Sequence, residues 1–431
     1  MERDESQTAP TLPSTHGKRI TYSLIVLSVL IVILAIYAAL SPFIETAWLI
    51  EELNSDGIAV TEPPSSDILR DLFRANPSLF SGTQRIISVR LPANRPYDQR
   101  LFQAICNHPE LTRFSAADHV SDANVDSLLR LENLESLDIK TKSLTDEGLK
   151  VVSKLKSLKI LTLENCLISD DGFTYMKSLD KLENLIIQDA DISDQGLSAL
   201  NSLGNLSGIF LTGMPISGTG FRGWKSSNSI KGIVLSKTAV NDSGLREIAS
   251  FRQLEGLYLE ETLITDEGLS SLESHPTLET LTLSKTRITG QGLQALVNCP
   301  SLVQLILDST SVTDAWLEVL QESSVAWLVL ADTQIGDAGM RHLCQMPTLG
   351  FLNISDTGVT DAGLVNIHKL PHLRDLHLNG TQITDASIDS LAKCPELRYL
   401  RIADTAITAA GRARLKAALP ECEVAVTRSM Y

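Results

Sequence analysis

The fold is decided by a pair of adjacent segments that align with each other. Residues Leu254–Thr277 read LEGLYLEETLITDEGLSSLESHPT, and residues Leu278–Ser301 read LETLTLSKTRITGQGLQALVNCPS, with a period of 24. The same frame gives fourteen units over residues 86–421, nearly all of them 23 to 25 residues long. A sustained period of this length indicates one repeat array rather than several domains. The units begin at Ile86, Leu111, Leu134, Leu158, Leu182, Leu206, Ile230, Leu254, Leu278, Leu302, Val325, Leu349, Leu373 and Leu397.

The unit reads L-x-x-L-x-L-x-x-T-x-I-T-D-x-G-L-x-x-L, and most of its positions have a structural explanation. Apolar residues at positions 1, 4 and 6 alternate as in a short strand, and strands of successive units should pair in parallel. Leucines at positions 16 and 19, which are Leu269 and Leu272 in one unit, predict a helical segment whose apolar side chains also face the core. No unit can bury these residues alone, so each depends on its neighbours.

Two polar positions recur with the same period. Position 9 is usually threonine, and its hydroxyl is expected to bond backbone groups where the strand ends; Cys166 takes this position once. Position 13 is usually aspartate, which we expect to cap the helical segment of its own unit. An alternative is that this column of carboxylates, repeated about every 5 Å, binds cations. The aspartates are Asp146, Asp170, Asp194, Asp242, Asp266, Asp314, Asp337, Asp361 and Asp385.

With these positions in register, the chain resembles the leucine-rich repeat family over about four-fifths of its length. It is similar to the ribonuclease-inhibitor-like and cysteine-containing subtypes, and to membrane-anchored bacterial proteins built from such units. The resemblance implies an α/β solenoid with a curved parallel sheet inside and helices outside.

The N-terminal region contains a candidate membrane anchor. Residues Ile20–Leu40 are 21 uncharged, mainly apolar residues, long enough to cross a bilayer. Lys18 and Arg19 precede them, and the next charges are acidic, which predicts a cytoplasmic N-terminus. The alternative is a cleaved secretory signal, but its apolar region would be unusually long. We therefore favour an uncleaved single-pass anchor, with the repeats periplasmic or extracellular.

These patterns divide the chain into five parts. Residues 1–19 are predicted to be a disordered cytoplasmic tail, and residues 20–41 a transmembrane helix. Residues 42–85 are predicted to be a linker and N-terminal cap, with helices at Ile44–Leu53 and Ser66–Ala75 and a strand near Gly57–Val60. Residues 86–421 form the repeats, and residues 422–431, with CEVAV, a terminal strand and tail.

A dinucleotide-binding motif also matches, within the unit at residues 206–229. Gly218, Gly220 and Gly223 spell G-x-G-x-x-G, and Asp242 follows at a suitable distance. The repeat frame accounts for Gly220 and Asp242, and a 24-residue unit leaves no room for a dinucleotide fold. We therefore expect no cofactor, and we interpret this degenerate unit as a candidate loosened or bent point.

Other chemical signals are weak. The net charge of −15 argues against nucleic acid as a partner. The six cysteines form no C-x-x-C pair, and Pro371 interrupts the helix that His368 and His372 would need to share a metal. Ser355, Asp375 and His377 fall on adjacent strands and could be arranged as a triad, but a solvated polar patch is the favoured interpretation. We therefore expect a protein without catalytic or metal-binding residues.

What remains is a surface on the inner side of the sheet. Positions 3 and 5 should point away from the core, and they carry apolar and aromatic residues in many units. Strand propensity explains valine and isoleucine there, but it explains Trp327 and Phe351 poorly, since no helix should cover them. The predicted protein-binding residues are Ile186, Phe210, Val234, Tyr258, Ile306, Trp327, Val329, Phe351, His377 and Tyr399.

These features favour a non-catalytic, membrane-anchored interaction scaffold or receptor-like module. Its partner would be another protein or an envelope polymer. The alternative is a substrate-recognition subunit of a ubiquitin-ligase-like complex, since such subunits use very similar repeats. No F-box-like helical module precedes the array, and the predicted anchor also argues against this alternative.

Overall fold

The computed structural model describes residues 59–62, 85–91, 98–224, 229–394 and 396–428. The chain divides into two compact units. The first comprises residues 1–89 and 98–108, and the second comprises residues 90–97 and 109–431. Most of the described chain therefore belongs to the second unit, which contains all but the first of the predicted repeats.

The first unit contains a strand pair and a helix. Strand β1 (Ala59–Glu62) pairs antiparallel with β2 (Arg85–Leu91). Helix α1 (Gln99–Cys106) begins after Asp98, whose carboxylate accepts hydrogen bonds from the backbone N–H groups of the first turn. Its buried side chains include Leu101 and Phe102.

Several predicted N-terminal elements cannot be compared with the structure. The tail at 1–19, the span at 20–41 and the helices at 44–53 and 66–75 lie outside the described residues. Within the described ranges, no helix has both the length and the apolar composition to cross a bilayer.

The second unit contains a parallel sheet in which each strand pairs with the next one in sequence. Leu281 pairs in register with Leu257 on one side and Leu305 on the other, and the same register continues along the array. Each unit therefore adds one strand at the edge of the sheet. The strands are β3 (Arg113–Ala117), β4 (Ser136–Lys140), β5 (Ile160–Glu164), β6 (Asn184–Gln188), β7 (Gly208–Thr212), β8 (Gly232–Val234), β9 (Gly256–Tyr258), β10 (Thr280–Thr282), β11 (Gln304–Ile306), β12 (Trp327–Val329), β13 (Phe351–Asn353), β14 (Asp375–His377), β15 (Tyr399–Arg401) and β16 (Glu423–Ala425).

Short helices follow the strands and form the second layer. They are brief because a 24-residue unit leaves only one or two turns after the strand and its loop. The α-helices are α2 (Asp146–Val152), α3 (Asp170–Met176), α4 (Asp194–Ser198), α5 (Asp242–Ile248), α6 (Asp266–Leu269), α7 (Asp337–Leu343), α8 (Ile388–Leu391) and α9 (Ala409–Ala418). The 3-10 helices are Val125–Arg130, Ala199–Ser202, Thr219–Phe221, Ser270–Leu272, Gln291–Leu296, Asp314–Glu322, Ile367–Lys369 and Asp385–Ser387.

The core lies between these two layers, as the repeat pattern predicts. Leu257 at position 4, and Leu269 and Leu272 at positions 16 and 19, are fully buried. The threonines of position 9 close the strand ends: the hydroxyl of Thr262 donates to the carbonyl of Leu259 at 2.7 Å, and the other seven do the same in their units. The α/β solenoid and the role of the threonine column are therefore confirmed.

The role predicted for the aspartate column is wrong in one respect. Asp146 is the first residue of α2, and the cap is Thr145, whose hydroxyl accepts a bond from the following turn. The carboxylate of Asp146 instead accepts two bonds from Ser169, the cap of the next unit: 2.8 Å from its N–H and 2.6 Å from its hydroxyl. Each aspartate thus supports the helix start of its successor, and its charge still suits the first turn of its own helix. We call this series of contacts the carboxylate ladder.

The ladder recurs along the array with a separation of 22 or 23 residues. It leaves the carboxylates engaged with protein donors, which accounts for the column without a bound cation. Its pairs are Asp122 with Thr145, Asp146 with Ser169, Asp170 with Ser193, Asp194 with Ser217, Asp242 with Thr265, Asp266 with Thr289, Asp314 with Gly336, Asp337 with Thr360, Asp361 with Thr384, and Asp385 with Thr408.

Hydrogen bonding lowers the pKa of one ladder carboxylate, that of Asp194. Burial raises the pKa of Asp194, but bonds from Ser217, Gly218 and Gly220 outweigh it, and the net shift is downward. The folded state therefore favours the charged carboxylate, which is the form that can accept several bonds at once.

Position 15 is glycine because the ladder needs the space. A Cβ atom on Gly172 would collide with the Asp146 carboxylate, and one on Gly196 would collide with Asp170 in the same way. At most boundaries, aspartate at position 13 and glycine at position 15 of the next unit therefore form a size-matched pair; Asp361, which faces Ser387, is an exception.

Two boundaries lack the aspartate, and both show a substitute. Gly218 stands at one of them, and in the following unit Asn241 caps its own helix by accepting bonds from two backbone N–H groups at 3.0 and 3.2 Å. Gly290 stands at the other, and the next position 15 is Trp316 instead of glycine. A Cβ on Gly290 would lie 2.8 Å from the Trp316 side chain, which fills the space that a carboxylate takes elsewhere.

The degenerate unit at residues 206–229 is closely packed in its described part. Its helix is reduced to one 3-10 turn, and Phe221 and Trp224 fill the space with their ring centroids 5.0 Å apart. Phe251 of the next unit completes the cluster, 5.5 Å from Phe221. All three rings are buried. Aromatic volume thus replaces the missing helix, and residues 225–228 lie outside the described chain.

The size-matched pair gives a test of the ladder. Gly172→Ala should destabilise the protein by ~1–3 kcal/mol because the methyl group displaces a carboxylate that accepts two bonds. In an Asp146→Ala background the same change should be neutral or stabilising by up to ~1 kcal/mol, since alanine is the better helix former. Denaturant unfolding of the four proteins measures both values.

Gly204→Ala is the control, because a Cβ at Gly204 would have nothing within 4 Å. Its effect should remain within ~0.5 kcal/mol. Equal costs of Gly172→Ala in the two backgrounds would show that the carboxylate does not determine the choice of glycine.

Candidate functional site

The sheet has one face that points away from the core. In β9, Leu257 is fully buried, whereas Gly256 and Tyr258 on either side of it are half-buried. The same alternation holds in most strands, and the described helices follow the opposite side of the core. We call the surface formed by positions 3, 5 and 7 of β3–β15 the open face.

The most prominent feature of the open face is an aromatic cluster on β12–β14. Trp327 and Phe351 are register partners on adjacent strands, and their rings stack with centroids 3.6 Å apart and an interplanar angle of 3°. Phe351 also meets His377 edge-on at 4.9 Å. Adjacent strands lie about 4.8 Å apart, and the two rings tilt towards each other to reach the shorter stacking distance.

The exposure of this cluster differs from the sequence prediction at one residue. Trp327 is 41% exposed and Tyr399 is 52% exposed, in agreement with an accessible surface. Phe351 was also predicted to be exposed, but it is only 8% exposed because Trp327 and His377 cover its ring. Phe351 therefore stacks against the accessible Trp327 and offers little contact area of its own.

The other predicted residues lie on the open face but are spread over several strands. They are half-buried, and among the predicted residues that the structure describes, ring contacts join only Trp327, Phe351 and His377. The half-buried set comprises Ile186 on β6, Phe210 on β7, Val234 on β8, Tyr258 on β9, Ile306 on β11, Val329 on β12 and His377 on β14.

A polar pair, His377 and Asp375, adjoins the aromatic cluster. His377 Nε2 lies 2.9 Å from Asp375 Oδ1, with side chains that are 13% and 27% exposed. Burial lowers the pKa of His377 and raises that of Asp375, although their mutual attraction opposes both shifts. The imidazole is thus largely neutral at pH 7. Ser355 is buried, and its hydroxyl has no partner among the described residues.

The cysteines are buried, and none of them forms a disulfide within the described residues. Burial raises the pKa of Cys166 to about 11 and that of Cys344 to about 12. These thiols are protonated at neutral pH, whereas nucleophilic attack and metal binding need the thiolate. Across the described ranges, no group of three or more His, Cys, Asp or Glu side chains is placed to hold a metal ion.

Sequence analysis overlooked one part of the open face. Gly208, Gly232 and Gly256 occupy position 3 in three successive units and pair with each other in register. Their spacing of 24 residues was visible in the sequence. Glycine weakens strands, so three in a row on one sheet face indicate a surface where something else approaches closely.

The histidine of the aromatic cluster gives a pH test. Its pKa is lower in the folded state than the value near 6.5 expected after unfolding. The folded state therefore takes up the proton less readily, and the free energy of unfolding should fall as pH decreases through 6.5. Denaturant midpoints at pH 7.5 and 5.5 should differ more in the native protein than in His377→Gln.

His275 is also buried with a lowered pKa, but it is present in both proteins and its contribution cancels. The raised pKa of Asp375 acts in the opposite direction, at lower pH. Equal shifts in the two proteins would contradict the assignment to His377.

Comparisons with known proteins agree with the repeat fold. A family model described as the leucine-rich repeats of the FBD-associated F-box protein At5g56370 matches residues 313–422. A second model, described as Leucine Rich repeat, matches residues 274–297. No curated protein sequence matches this chain.

Solved structures with similar folds include a leucine-rich repeat protein of Leptospira interrogans. It has 16% sequence identity and a TM-score of 0.53, over 85% of this chain and 100% of that one. An internalin from Listeria monocytogenes has 20% identity and a TM-score of 0.49, over 86% and 99%. The ectodomain of the Arabidopsis thaliana receptor kinase GASSHO1/SCHENGEN3 has 16% identity and a TM-score of 0.47, over 89% and 55%.

The similarity to the Leptospira protein is one of fold. The two family-model matches lie within the repeats described above. The chain has a leucine-rich repeat fold, and family models of such repeats match residues 274–297 and 313–422.

Proposed function

We propose that the protein is a non-catalytic binding module that holds a partner against its open face, centred on Trp327. One observation carries the proposal: a tryptophan that is 41% exposed stands on an uncovered sheet face. Leucine-rich repeat folds are typically binding scaffolds, which supports this interpretation.

The surroundings of Trp327 are those of an interaction site. Phe351 holds the indole in one orientation by stacking, so binding would cost little further side-chain entropy. Tyr399 presents a second exposed ring two strands beyond Phe351, with the polar pair Asp375–His377 between them. Aromatic anchors with polar neighbours carry much of the energy in protein interfaces.

We also propose that residues 20–41 anchor the protein in a membrane with the repeats on the exported side. This part rests on the sequence, through the uncharged stretch Ile20–Leu40 and the basic pair Lys18 and Arg19 before it. The partner in this setting is another protein or an envelope polymer.

A second candidate function is substrate recognition in a ubiquitin-ligase-like complex. The match of residues 313–422 to the repeats of an F-box protein favours it. That match concerns the repeats alone. This function requires the repeats in the cytoplasm, so the two candidates differ in a property that can be measured directly.

The binding face can be tested by single substitutions. Trp327→Ser should leave the fold intact, since the side chain lies outside the core, and should weaken capture of a native partner by ~2 kcal/mol or more. The assay is capture from native membranes by the purified protein, followed by titration of the recovered partner.

Ile160→Ser is the matched control. Ile160 occupies the same position of β5 on the open face and is 36% exposed, but it is seven strands away from Trp327. Capture by this variant should be unchanged. A partner that binds native protein and Trp327→Ser equally would remove Trp327 from the binding site.

Topology decides between the two candidate functions. A reporter fused after Tyr431 should be active only in the exported compartment, and the mature chain should retain residues 1–41. Reporter activity in the cytoplasm would contradict the anchored arrangement and favour the ligase subunit. A mature chain that begins near Pro42 would show instead that the apolar segment is a cleaved signal.

A further inference from the structure

The glycine row on the open face contains an unfilled space. Gly208, Gly232 and Gly256 lie side by side on β7, β8 and β9. A Cβ on Gly208 would lie 2.6 Å from the Phe210 ring, and one on Gly256 would lie 3.1 Å from the Tyr258 ring. Each ring therefore leans back over the glycine of its own strand.

The middle glycine is uncovered. A Cβ on Gly232 would meet no atom within 4 Å, although the glycines on both sides are covered by rings. The result is a notch with Gly232 as its floor and the rings of Phe210 and Tyr258 as its walls. Val234, half-buried two residues further along β8, continues the apolar floor. We call this space the Gly232 notch.

The notch is wide enough for one side chain. The strands that carry the two rings are separated by two spacings of about 4.8 Å, so a carbon chain midway would lie about 4.8 Å from each. Small rotations of the rings would bring them to the 3.5–4.0 Å of good carbon contacts, about the reach of an aliphatic side chain. An apolar occupant suits these walls, because a polar group would lose its water there.

The charged residues at positions 3, 5 and 7 around the notch are acidic, and Lys231, which precedes Gly232, is paired with Glu255 at 2.8 Å. Glu260 and Asp308 lie at position 7 of the units that contain β9 and β11, where each accepts a hydrogen bond from a serine at the same position of the preceding unit. Positions 3, 5 and 7 from β5 to β13 contain no lysine or arginine in the sequence. A partner that covers this surface is therefore favoured if it is basic, whereas a second copy of this chain would bring like charge, with a net charge of −15.

We propose that the Gly232 notch binds an aliphatic side chain from an extended, basic segment of another protein. The inference rests on the proposed function, since it adds a second contact to the same open face. Gly232 and Trp327 occupy the same strand position four strands apart. That separation is about 19 Å, a distance that about six extended residues span, so one segment crossing the strands reaches both.

The test uses the full chain in detergent micelles and a phage-displayed library of random decapeptides. Selected peptides should combine an aliphatic residue with lysine or arginine. Gly232→Leu should lower retention of these phage by about ten-fold or more, because the new side chain fills the notch from within. Its backbone is compatible with leucine, and no atom opposes the new Cβ.

Gly204→Leu is the control, since a Cβ there also meets nothing within 4 Å but the residue follows a 3-10 helix outside the open face. It should retain the selected phage within about two-fold of the native protein. Thermal unfolding of both variants checks that each is folded.

Three outcomes would overturn the proposal: no enriched sequence, enriched sequences that are acidic, or equal retention by Gly232→Leu. A fourth is a native dimer in size-exclusion chromatography that Gly232→Leu abolishes, which would make a second copy the occupant. The same phage tested on Trp327→Ser separate this inference from the proposed function. Sensitivity to Gly232→Leu tests the notch, and sensitivity of native-partner capture to Trp327→Ser tests the aromatic site.

Discussion

The array depends on a contact that no repeat can make within itself. A carboxylate at the start of one helix accepts bonds from the start of the next, and a glycine in that next unit leaves the space for it. At most boundaries this contact reinforces the register of neighbouring units, while burial of the leucines supplies most of the driving force.

The fold was predictable from the sequence because its signal is periodic. Whether a residue of the unit is buried depends on the direction of its side chain, and the repeat pattern determines that direction. The ladder was not predictable in detail, since Asp146 next to a helix start is equally compatible with capping its own helix. Its partner, Ser169, lies 23 residues away, and only the three-dimensional stacking of the units identifies it. The paired occurrence of Gly290 and Trp316 was a signal in the sequence, although its meaning depends on the same contact.

The position of the open face was predictable, but the exposure of its individual side chains was less so. Alternation places Phe351 outside the core, yet its exposure depends on the rotamers of Trp327 and His377 on neighbouring strands. The row of Gly208, Gly232 and Gly256 was not predicted, because the binding surface was inferred from apolar and aromatic side chains and glycine has none. The open face carries the aromatic cluster and, four strands away, the Gly232 notch, so one regular sheet presents both a protruding and a recessed feature.

The ladder has a direction, and this direction matters during synthesis. Each carboxylate serves the unit that follows it, so a unit emerging from the ribosome finds the acceptor for its helix start already in place on its predecessor. Chains grow from the N-terminus, and folding in that order never leaves a new helix start waiting for a later partner. Loss of C-terminal repeats would free a carboxylate to bind water. Loss of N-terminal repeats would instead strip the acceptor from a partly buried N–H group, so the array tolerates shortening from one end better than from the other.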